Sequence, residues 1–454
     1  MKRRDLILCG LGLGIVLMIL GGLAQRLPSD LGGMDRRRAV IYIGYAAAAG
    51  VLYAIAVWLV QRPRHGRHMV WIVLALAGVM RALTLGAPPL LSTDLYRYVW
   101  DGKVQAAGLN PYAYLPAAPE LRGLRDGGAG VEAIYPNINR ADYAPTIYPP
   151  VAQAIFAVIG RVWPTIWGMK AAMLAFDALA IAAALLLLRT AGLPAERVLI
   201  LAWNPLTVWE FAGGGHIDAA ALAFSGMALL LAARRFPAAA GLALGAAVLC
   251  KLLPAALFPA IWRRWDLRTP LACGALIAVG YACYAGAGWR VLGYLPGYAS
   301  EEGLGDGGGF FALRLLALLG PLPSWAGTAY AAMAALGLLG LAGWIALRAP
   351  LPALAGPRAI VVCRDAVWLT AATMSALSPH YPWYFTALAV PMVLAPAPCA
   401  VWLTLAAPIL YLDHGLGQIG APAALFIPFV CLLAFDLFRR RAGSVLQPAA
   451  TGGL

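Results

Sequence analysis

Charged residues are scarce in this chain, and their scarcity excludes a soluble globular protein. Of its 454 residues, 12% are charged and 62% are hydrophobic, and the mean hydropathy is +0.77. The charged share is about half of that in an ordinary soluble domain. Apolar runs of about 17–25 residues, long enough to cross a bilayer as a helix, recur from end to end. Because these runs do not alternate polar with apolar residues, they predict helices and not the strands of a barrel.

Paired cysteines are also absent, and histidines are few. None of the seven cysteines forms a C-x-x-C pair, and most lie within apolar runs, which argues against a disulfide framework or a thiolate metal site. Three of the five histidines, His216, His380 and His414, fall at the ends of apolar runs. His216 and Asp218 could bind a metal ion only with ligands from elsewhere, so we expect no metal and no cofactor.

Acidic residues are outnumbered by basic ones, and the formal net charge is +14. The basic residues cluster in short segments between apolar runs. This is the positive-inside pattern of membrane proteins, so the charge indicates orientation in the membrane and not nucleic-acid binding. Lys2, Arg3 and Arg4 precede the first run and predict a cytoplasmic N-terminus, with that run retained as an uncleaved span.

The predicted fold class is an all-α polytopic membrane protein with about 12–14 transmembrane helices. We divide the chain into N-terminal transmembrane helices (1–68), a main transmembrane module (69–438) and a cytoplasmic tail (439–454). The candidate spans are 6–24, 39–60, 69–90, 150–163, 167–188, 198–212, 217–233, 238–261, 270–289, 309–320, 325–347, 359–378, 383–398, 400–412 and 421–438.

One long polar segment, residues 92–148, interrupts the apolar runs. If the spans alternate from a cytoplasmic N-terminus, this segment lies on the outer side of the membrane. The basic segments beyond it cannot all be cytoplasmic by simple alternation. We therefore expect either 150–163 or 238–261 to enter and leave the membrane as half-helices, which are tolerated where they line a cavity.

Candidate catalytic residues open the outer segment. Asp94 follows an apolar run directly and should lie at the outer membrane surface. In a helix that starts at Thr93, Asp94, Arg97 and Asp101 share one face. A purely structural role is the alternative, with Asp94 as an N-cap or as the partner of Arg97.

Three further residues of the outer segment are candidates for substrate contact: Tyr96, Asn110 and Tyr148. The aromatic residues in this segment form either a stacking surface for a sugar or an aromatic belt at the interface, and composition does not separate these two interpretations.

Lys251, well inside one apolar run, and Glu210, near the end of another, are ionisable residues in positions where such residues are costly and usually functional. Snorkelling towards the interface is the alternative for Lys251. Together with His380, Lys251 could receive a phosphate head group, and Arg97 or Arg314 could share that contact.

The order of short motifs carries a resemblance to known enzymes. The outer segment, with Asp94, Asn110-Pro-Tyr and Tyr148-Pro-Pro, resembles the GT-C superfamily of integral-membrane glycosyltransferases. Later motifs are similar, in the same order, to those of bacterial polyprenyl-phosphate-mannose-dependent mannosyltransferases. These motifs are Trp203-Asn-Pro-Leu206, the segment from Glu210 through His216 to Asp218, Lys251-Leu-Leu-Pro254 and His380-Tyr-Pro-Trp-Tyr384. The resemblance covers about residues 69–415.

This resemblance implies an inverting transferase with a GT-C-like helical bundle in the bacterial inner membrane. It would move a sugar, by this resemblance mannose, from a polyprenyl-phosphate donor to a lipid or glycan acceptor on the periplasmic face. The family's catalytic carboxylate opens the first large outer loop, a position that Asp94 matches, with Asp101 as second choice. Lys251 and His380 would bind the phosphate. Glu210, His216 and Asp218 would shape the sugar or acceptor site. The substrate-binding residues that complete the set are Tyr381, Trp383 and Tyr384.

Two other functions remain open from the sequence. A transporter or lipid flippase would explain the spans and the embedded Lys251, but it leaves the polar outer segment without a role. Another lipid-dependent enzyme, such as a glycan polymerase, is the third interpretation. Membrane lipids are expected partners in every case.

Overall fold

The computed structural model describes residues 3–24, 36–62, 65–66, 68–89, 91–125, 132–263, 265–348, 350–412 and 419–445. Every regular element in these ranges is helical, which confirms the all-α prediction. His414 lies outside the described residues, as does the part of the predicted tail beyond residue 445.

The longer helices, of nine residues or more, are numbered here in chain order. They are α1 (Arg3–Leu23), α2 (Arg36–Val60), α3 (Met69–Leu85), α4 (Asp94–Ala106), α5 (Pro150–Val162), α6 (Ile166–Ala191), α7 (Asp218–Ala233), α8 (Pro237–Val248), α9 (Arg268–Ala282), α10 (Ala326–Leu347), α11 (Ala355–Leu377), α12 (Pro398–Ala406) and α13 (Gly420–Val445). Shorter helical segments connect them, among them Val208–Gly213, Leu253–Leu257, Leu295–Glu301, Phe311–Ala317 and Pro382–Leu388.

Several helices are long and apolar enough to cross a membrane, as a polytopic membrane protein requires. Within the described ranges five helices meet that test, namely α1, Val40–Val60 of α2, α6, α10 and α11. The pair Arg268–Ala282 and Ala285–Glu301, bent by 113°, would make a sixth span. Shorter apolar helices of 10–17 residues accompany them, including α3, α5, α7 and α8. The count of 12–14 spans and the re-entry of 150–163 or 238–261 stay predictions.

Two of the predicted apolar runs are broken where proline interrupts them. In the run 198–212, Asn204 accepts a hydrogen bond from the backbone N–H of Leu206 (3.0 Å) and starts a new turn at Pro205. In the run 238–261, α8 ends at Val248, and Lys251 lies in the break before the short segment that contains Pro254. Proline lacks the N–H that a continuous helix needs, so both breaks follow from the sequence.

The N-terminal helices pack directly against the broken 198–212 region. The rings of Tyr42 and Trp209 meet edge to face at 4.9 Å. A Cβ on Gly12 would lie 2.6 Å from the Trp203 ring, so α1 approaches that ring as closely as glycine permits. α1 and α2 therefore extend the same core, and the division of the chain at residue 68 stays a prediction.

Helix α4, which carries Asp94, is held against α5 by a glycine contact. A Cβ on Gly160 would lie 2.2 Å from the carbonyl oxygen of Gly102, so the two backbones touch. Substituents larger than hydrogen do not fit at such a crossing. This contact fixes the position of α4 relative to the rest of the bundle.

A buried ion pair and hydrogen bonds from a buried lysine hold α3 against α6. The guanidinium group of Arg81 donates to the carboxylate of Asp177, and its Nη1 also donates to the carbonyl of Ala202. Lys170 is fully buried, and its ammonium group donates to the carbonyls of Leu85 and Ala87 just past the end of α3. The C-terminal carbonyls of a helix carry partial negative charge, so a cation stabilises them.

Candidate functional site

Asp94 is the first residue of α4, one residue later than the helix start considered at Thr93, and its side chain is half-buried at the helix N-terminus. Its Oδ1 accepts a hydrogen bond from the Asn139 side chain (3.0 Å), which also donates to the hydroxyl of Thr93 (3.2 Å). Among the described residues no hydrogen bond reaches Oδ2. The carboxylate is thus oriented through one oxygen while the other is available to a substrate.

Arg97 and Asp101 form a buried pair one turn deeper in α4. Arg97 Nε donates to Asp101 Oδ1 (2.9 Å), and the Gln153 amide donates to Oδ2 (2.9 Å). Asp101 is 1% exposed. Arg97 therefore pairs with Asp101 and not with Asp94. The i,i+4 spacing within the helix brings the side chains of Arg97 and Asp101 together. Both oxygens of Asp101 are used within the protein.

A tight turn places Glu210 and His216 side by side. The segment Val208–Gly213 is a single π-helical turn, a feature frequent at functional sites. The backbone N–H of His216 donates to the carbonyl of Glu210 (3.0 Å). Gly215 adopts a left-handed conformation (φ +68°), which strongly favours glycine at this position.

Glu210 and His216 are both buried, and their polar atoms differ in how they are satisfied. Glu210 Oε1 accepts a hydrogen bond from the hydroxyl of Tyr411 (2.8 Å), and its Oε2 lies 3.4 Å from His216 Nε2. Within the described structure neither ring nitrogen of His216 makes a hydrogen bond. Buried polar groups normally have partners, so this imidazole is suited to meet a ligand.

Three aromatic rings stack in a row beside this pair. Trp383 stacks with Tyr381 (centroids 4.6 Å apart, planes 9° apart) and with His216 (4.2 Å, 22°). Trp383 is only 5% exposed. The row is a preformed wall in which Trp383 supports its neighbours and does not itself offer a free stacking face.

Lys251 lies at the break after α8 and faces this wall. Its ammonium group donates to Asp218 Oδ2 (2.8 Å) and lies 4.5 Å from the centre of the Tyr384 ring. A small pocket of about 20 Å³, room for about one water molecule, opens beside the pair. Apart from Asp218 and Lys251, the pocket lining is mostly apolar and comprises Ala221, Leu222, Ser225, Leu253, Pro254, Thr386 and Ala387.

His380 stands at the rim of the site. Its Nδ1 lies 2.7 Å from Glu302 Oε2, and its Nε2 is buried without a hydrogen-bond partner in the described residues. Tyr384 and Tyr298 share a hydrogen bond between their hydroxyls (2.9 Å). The bent segment Leu295–Glu301 and the residues after it thus reach the 380–384 motif.

Arg140 is a further cation of the rim, and sequence analysis gave it no role. Its Nε donates to Glu301 Oε2 (2.8 Å). Burial lowers the pKa of Arg140, but Tyr381 and Glu301 outweigh this effect and raise it, so the guanidinium group stays charged. Burial, together with Glu302, raises the pKa of Tyr381, so its hydroxyl remains a donor.

Asp94 lies near the polar and aromatic groups described above, and we call the site that they form together the chamber. Its carboxylate interacts electrostatically with His216, Lys251 and Tyr381, which come from three separate segments. It also acts on Glu210 and Tyr148. The structure therefore unites Asp94 with eight other predicted residues: Tyr148, Glu210, His216, Asp218, Lys251, Tyr381, Trp383 and Tyr384.

Other predicted site residues have structural contacts instead. Asn110 accepts a hydrogen bond from the backbone N–H of Tyr112 (3.0 Å) and thereby closes a turn. Tyr96 is fully buried in α4. Tyr148 stacks edge-on against Tyr98 (4.8 Å), so it contributes packing next to the site as well as a place near Asp94.

No three side chains of His, Cys, Asp or Glu in the described ranges come together as a metal site would require. The expectation of no metal and no cofactor therefore stays a prediction. Lysine, arginine and histidine are the groups that the chamber offers to an anion.

Several residues that form or support the site were not predicted from the sequence. Asn139 lies 45 residues from Asp94 in the chain, so nothing local marks it as the partner of that carboxylate. Glu301, Glu302 and Tyr298 lie between the predicted runs 270–289 and 309–320, where no site residue was predicted. Arg81, Lys170 and Asp177 were detectable, because they too are ionisable residues within apolar runs.

Comparison with known proteins identifies the family. A family model described as alpha-(1->6)-mannopyranosyltransferase, N-terminal domain, matches residues 6–265. The curated proteins and the solved structures with which the chain was compared gave no match. The matched range is more than half of the chain and includes Asp94, His216, Asp218 and Lys251. The chain therefore belongs to this alpha-(1->6)-mannopyranosyltransferase family, whose members are glycosyltransferases that transfer mannosyl groups.

Proposed function

We propose that the protein transfers a mannosyl group from a polyprenyl-phosphate donor to a hydroxyl of a lipid or glycan acceptor, with inversion at the anomeric carbon. The family's linkage makes the primary O6 hydroxyl of a mannose residue the natural acceptor. The observation that supports this most directly is the Asp94 carboxylate, oriented through one oxygen and open at the other, in a chamber lined by cations and aromatic rings.

In this proposal Asp94 is the general base. It takes the proton of the acceptor hydroxyl as the hydroxyl oxygen attacks the anomeric carbon and the sugar–phosphate bond breaks. A positioned carboxylate typically contributes about 10²–10⁴-fold to such a step. The hydrogen bond from Asn139 leaves Oδ2 free for that proton, which is the arrangement a base requires.

The leaving group is a phosphate joined to a hydrocarbon chain, and it needs cationic donors more than an acid. Lys251 stands beside a small, mostly apolar pocket, so a phosphate at its ammonium group would have its chain next to apolar surface. His380, with a free Nε2, and Lys251 are the proposed phosphate ligands. This pairing of a cation with an apolar pocket supports a lipid-linked donor.

Glu210, His216 and Asp218 are proposed to shape the sugar or acceptor site. His216 has two unpartnered nitrogens, which suits hydrogen bonds to sugar hydroxyls. Asp101 is proposed to hold Arg97 and Gln153 in place instead of acting on the substrate, because both of its oxygens are already engaged.

The proposed setting is the bacterial inner membrane, with the N-terminus in the cytoplasm and the site facing the periplasm. This orientation rests on the basic segments of the sequence and on the position of Asp94 at the start of the outer segment. The transporter interpretation gains no support from membership in a transferase family.

The test is sugar transfer by the purified protein in lipid, with radiolabelled polyprenyl-phosphate mannose as donor and a membrane extract as acceptor source. Asp94→Asn should lower turnover by about 10²–10⁴-fold, while its thermal stability stays that of the wild type. Asp142→Asn is the matched control, because Asp142 is an exposed carboxylate of the same outer segment. Normal transfer by folded Asp94→Asn would exclude Asp94 as the base.

A further inference from the structure

A cluster of three arginines surrounds one buried carboxylate away from the candidate site. Asp365, on α11, is 2% exposed in its side chain. Its carboxylate accepts hydrogen bonds from Arg263 (3.4 Å) and Arg364 (3.4 Å), and it also pairs with Arg348. We refer to these four residues as the arginine cluster.

The arginine cluster lies about half-way along α11, away from the candidate site. α11 runs from Ala355 to Leu377, next to His380, and Asp365 lies ~18 Å along this helix from its C-terminal end. α7 starts at Asp218, in the candidate site, and ends at Ala233. Arg358 near the start of α11 interacts electrostatically with Arg235 just past the end of α7, so these two ends adjoin.

The charges of the arginine cluster do not balance. In the part of the chain that the structure describes, Asp365 is the only carboxylate paired with the three guanidinium groups. Arg263 is further fixed by the carbonyls of Pro259 and Trp262, and its Nε is buried without a partner. Three cations beside one anion repel one another, and a second anion would relieve that repulsion.

The surroundings of the arginine cluster indicate what that anion is. Arg348 directly follows α10, and its guanidinium group lies 4.9 Å from the centre of the Trp344 ring. Only 11% of the apolar window of α10 is buried within the protein, and Trp344 is 61% exposed. A helix so exposed faces hydrocarbon, and a tryptophan with an arginine at its end is typical of the head-group level.

We propose that the arginine cluster is a binding site for the phosphate of an anionic phospholipid, independent of the transfer reaction. Arg348 and Arg364, the more exposed pair, contact the phosphate. Arg263 and Asp365 hold the two contacting arginines in place. Basic pockets between membrane helices recognise anionic head groups in this way.

The test measures lipid retention by the full chain in detergent, using native mass spectrometry with added phosphatidylglycerol or phosphatidylcholine. The wild type should retain phosphatidylglycerol in preference to phosphatidylcholine. Arg348→Gln/Arg364→Gln should bind phosphatidylglycerol about thirtyfold more weakly, at about 1 kcal/mol for each arginine. Arg62→Gln is the matched control, because Arg62 also lies over a tryptophan, Trp58 (4.3 Å), but outside the arginine cluster.

Three results would overturn the proposal. The first is equal retention of the two lipids by the wild type, and the second is undiminished retention of phosphatidylglycerol by the double variant. The third is thermal stabilisation of the wild type by inorganic phosphate alone that equals its stabilisation by phosphatidylglycerol, which would assign the site to a free anion. If the double variant does not fold, Arg364→Gln, with an expected loss of about fivefold, replaces it.

Discussion

Asp94 and Asp101 lie on the same helix, but their different surroundings indicate different roles. Asp101 neutralises a buried arginine, whereas Asp94 has an oxygen that no described residue uses. Asp101→Asn should therefore lower the free energy of unfolding by about 3 kcal/mol, since it leaves Arg97 without its buried counter-charge. Chemical denaturation of Asp101→Asn beside Asp94→Asn measures the difference. Equal stability of the two variants would contradict these assignments.

Variants of the Lys251–Asp218 ion pair can distinguish its contribution to stability from its contribution to catalysis. Lys251→Met leaves Asp218 unpaired and should destabilise the protein and abolish transfer. In Lys251→Met/Asp218→Asn the unpaired charge is gone, so the thermal midpoint should recover most of the loss while transfer stays absent. Recovery of transfer together with stability would show that Lys251 does not bind the phosphate.

At the scale of single residues, sequence analysis located ionisable groups well and their partners poorly. Lys251 and Glu210 stand out because ionisable groups in apolar runs are costly and therefore rare. The sequence could not pair Asn139 with Asp94 or Glu302 with His380, because the folded chain brings these side chains together across 45 and 78 residues. Spacing along one helix predicted a shared face but did not decide which neighbour Arg97 binds.

At the scale of elements, the contact between α4 and α5 sets the position of Asp94. Gly160→Ala should push the helices apart, because its Cβ would meet the carbonyl of Gly102 at 2.2 Å. We expect a loss of about 1–3 kcal/mol in unfolding free energy and slower transfer. Gly78→Ala in α3 is the control, since nothing lies within 4 Å of its Cβ. Indistinguishable stability and activity of the two variants would contradict this role for the crossing.

The elements themselves were predictable where the apolar pattern is continuous, as in α1, α6 and α10. The positions where helices are interrupted were less predictable. Lys251-Leu-Leu-Pro254 signals an interruption, and the helix does end there. The π-helical turn Val208–Gly213 had no such signal, because an extra residue in a helical turn is set by what packs around it. The predicted run 270–289 likewise carried no signal for the 113° bend that separates Arg268–Ala282 from Ala285–Glu301.

At the scale of the whole molecule, the orientation in the membrane can be tested with single cysteines. Asp142→Cys should react with a membrane-impermeant maleimide in intact cells, and Arg268→Cys only after permeabilisation, because the two exposed positions are predicted to lie on opposite sides. The wild type, with its own free cysteines, gives the background. The reverse pattern would invert the topology and place Asp94 in the cytoplasm.

The chamber is assembled from two stretches of chain that play unequal parts. Asp94, His216, Asp218 and Lys251 come from the stretch that the family model matches, whereas Glu302, the 380–384 motif and Tyr411 follow it. The proposed base and much of the surface around it therefore lie in different stretches of sequence. These two stretches can change independently during evolution. A relative that keeps the matched stretch and changes the later one would keep the proposed base and alter only part of the surface around it.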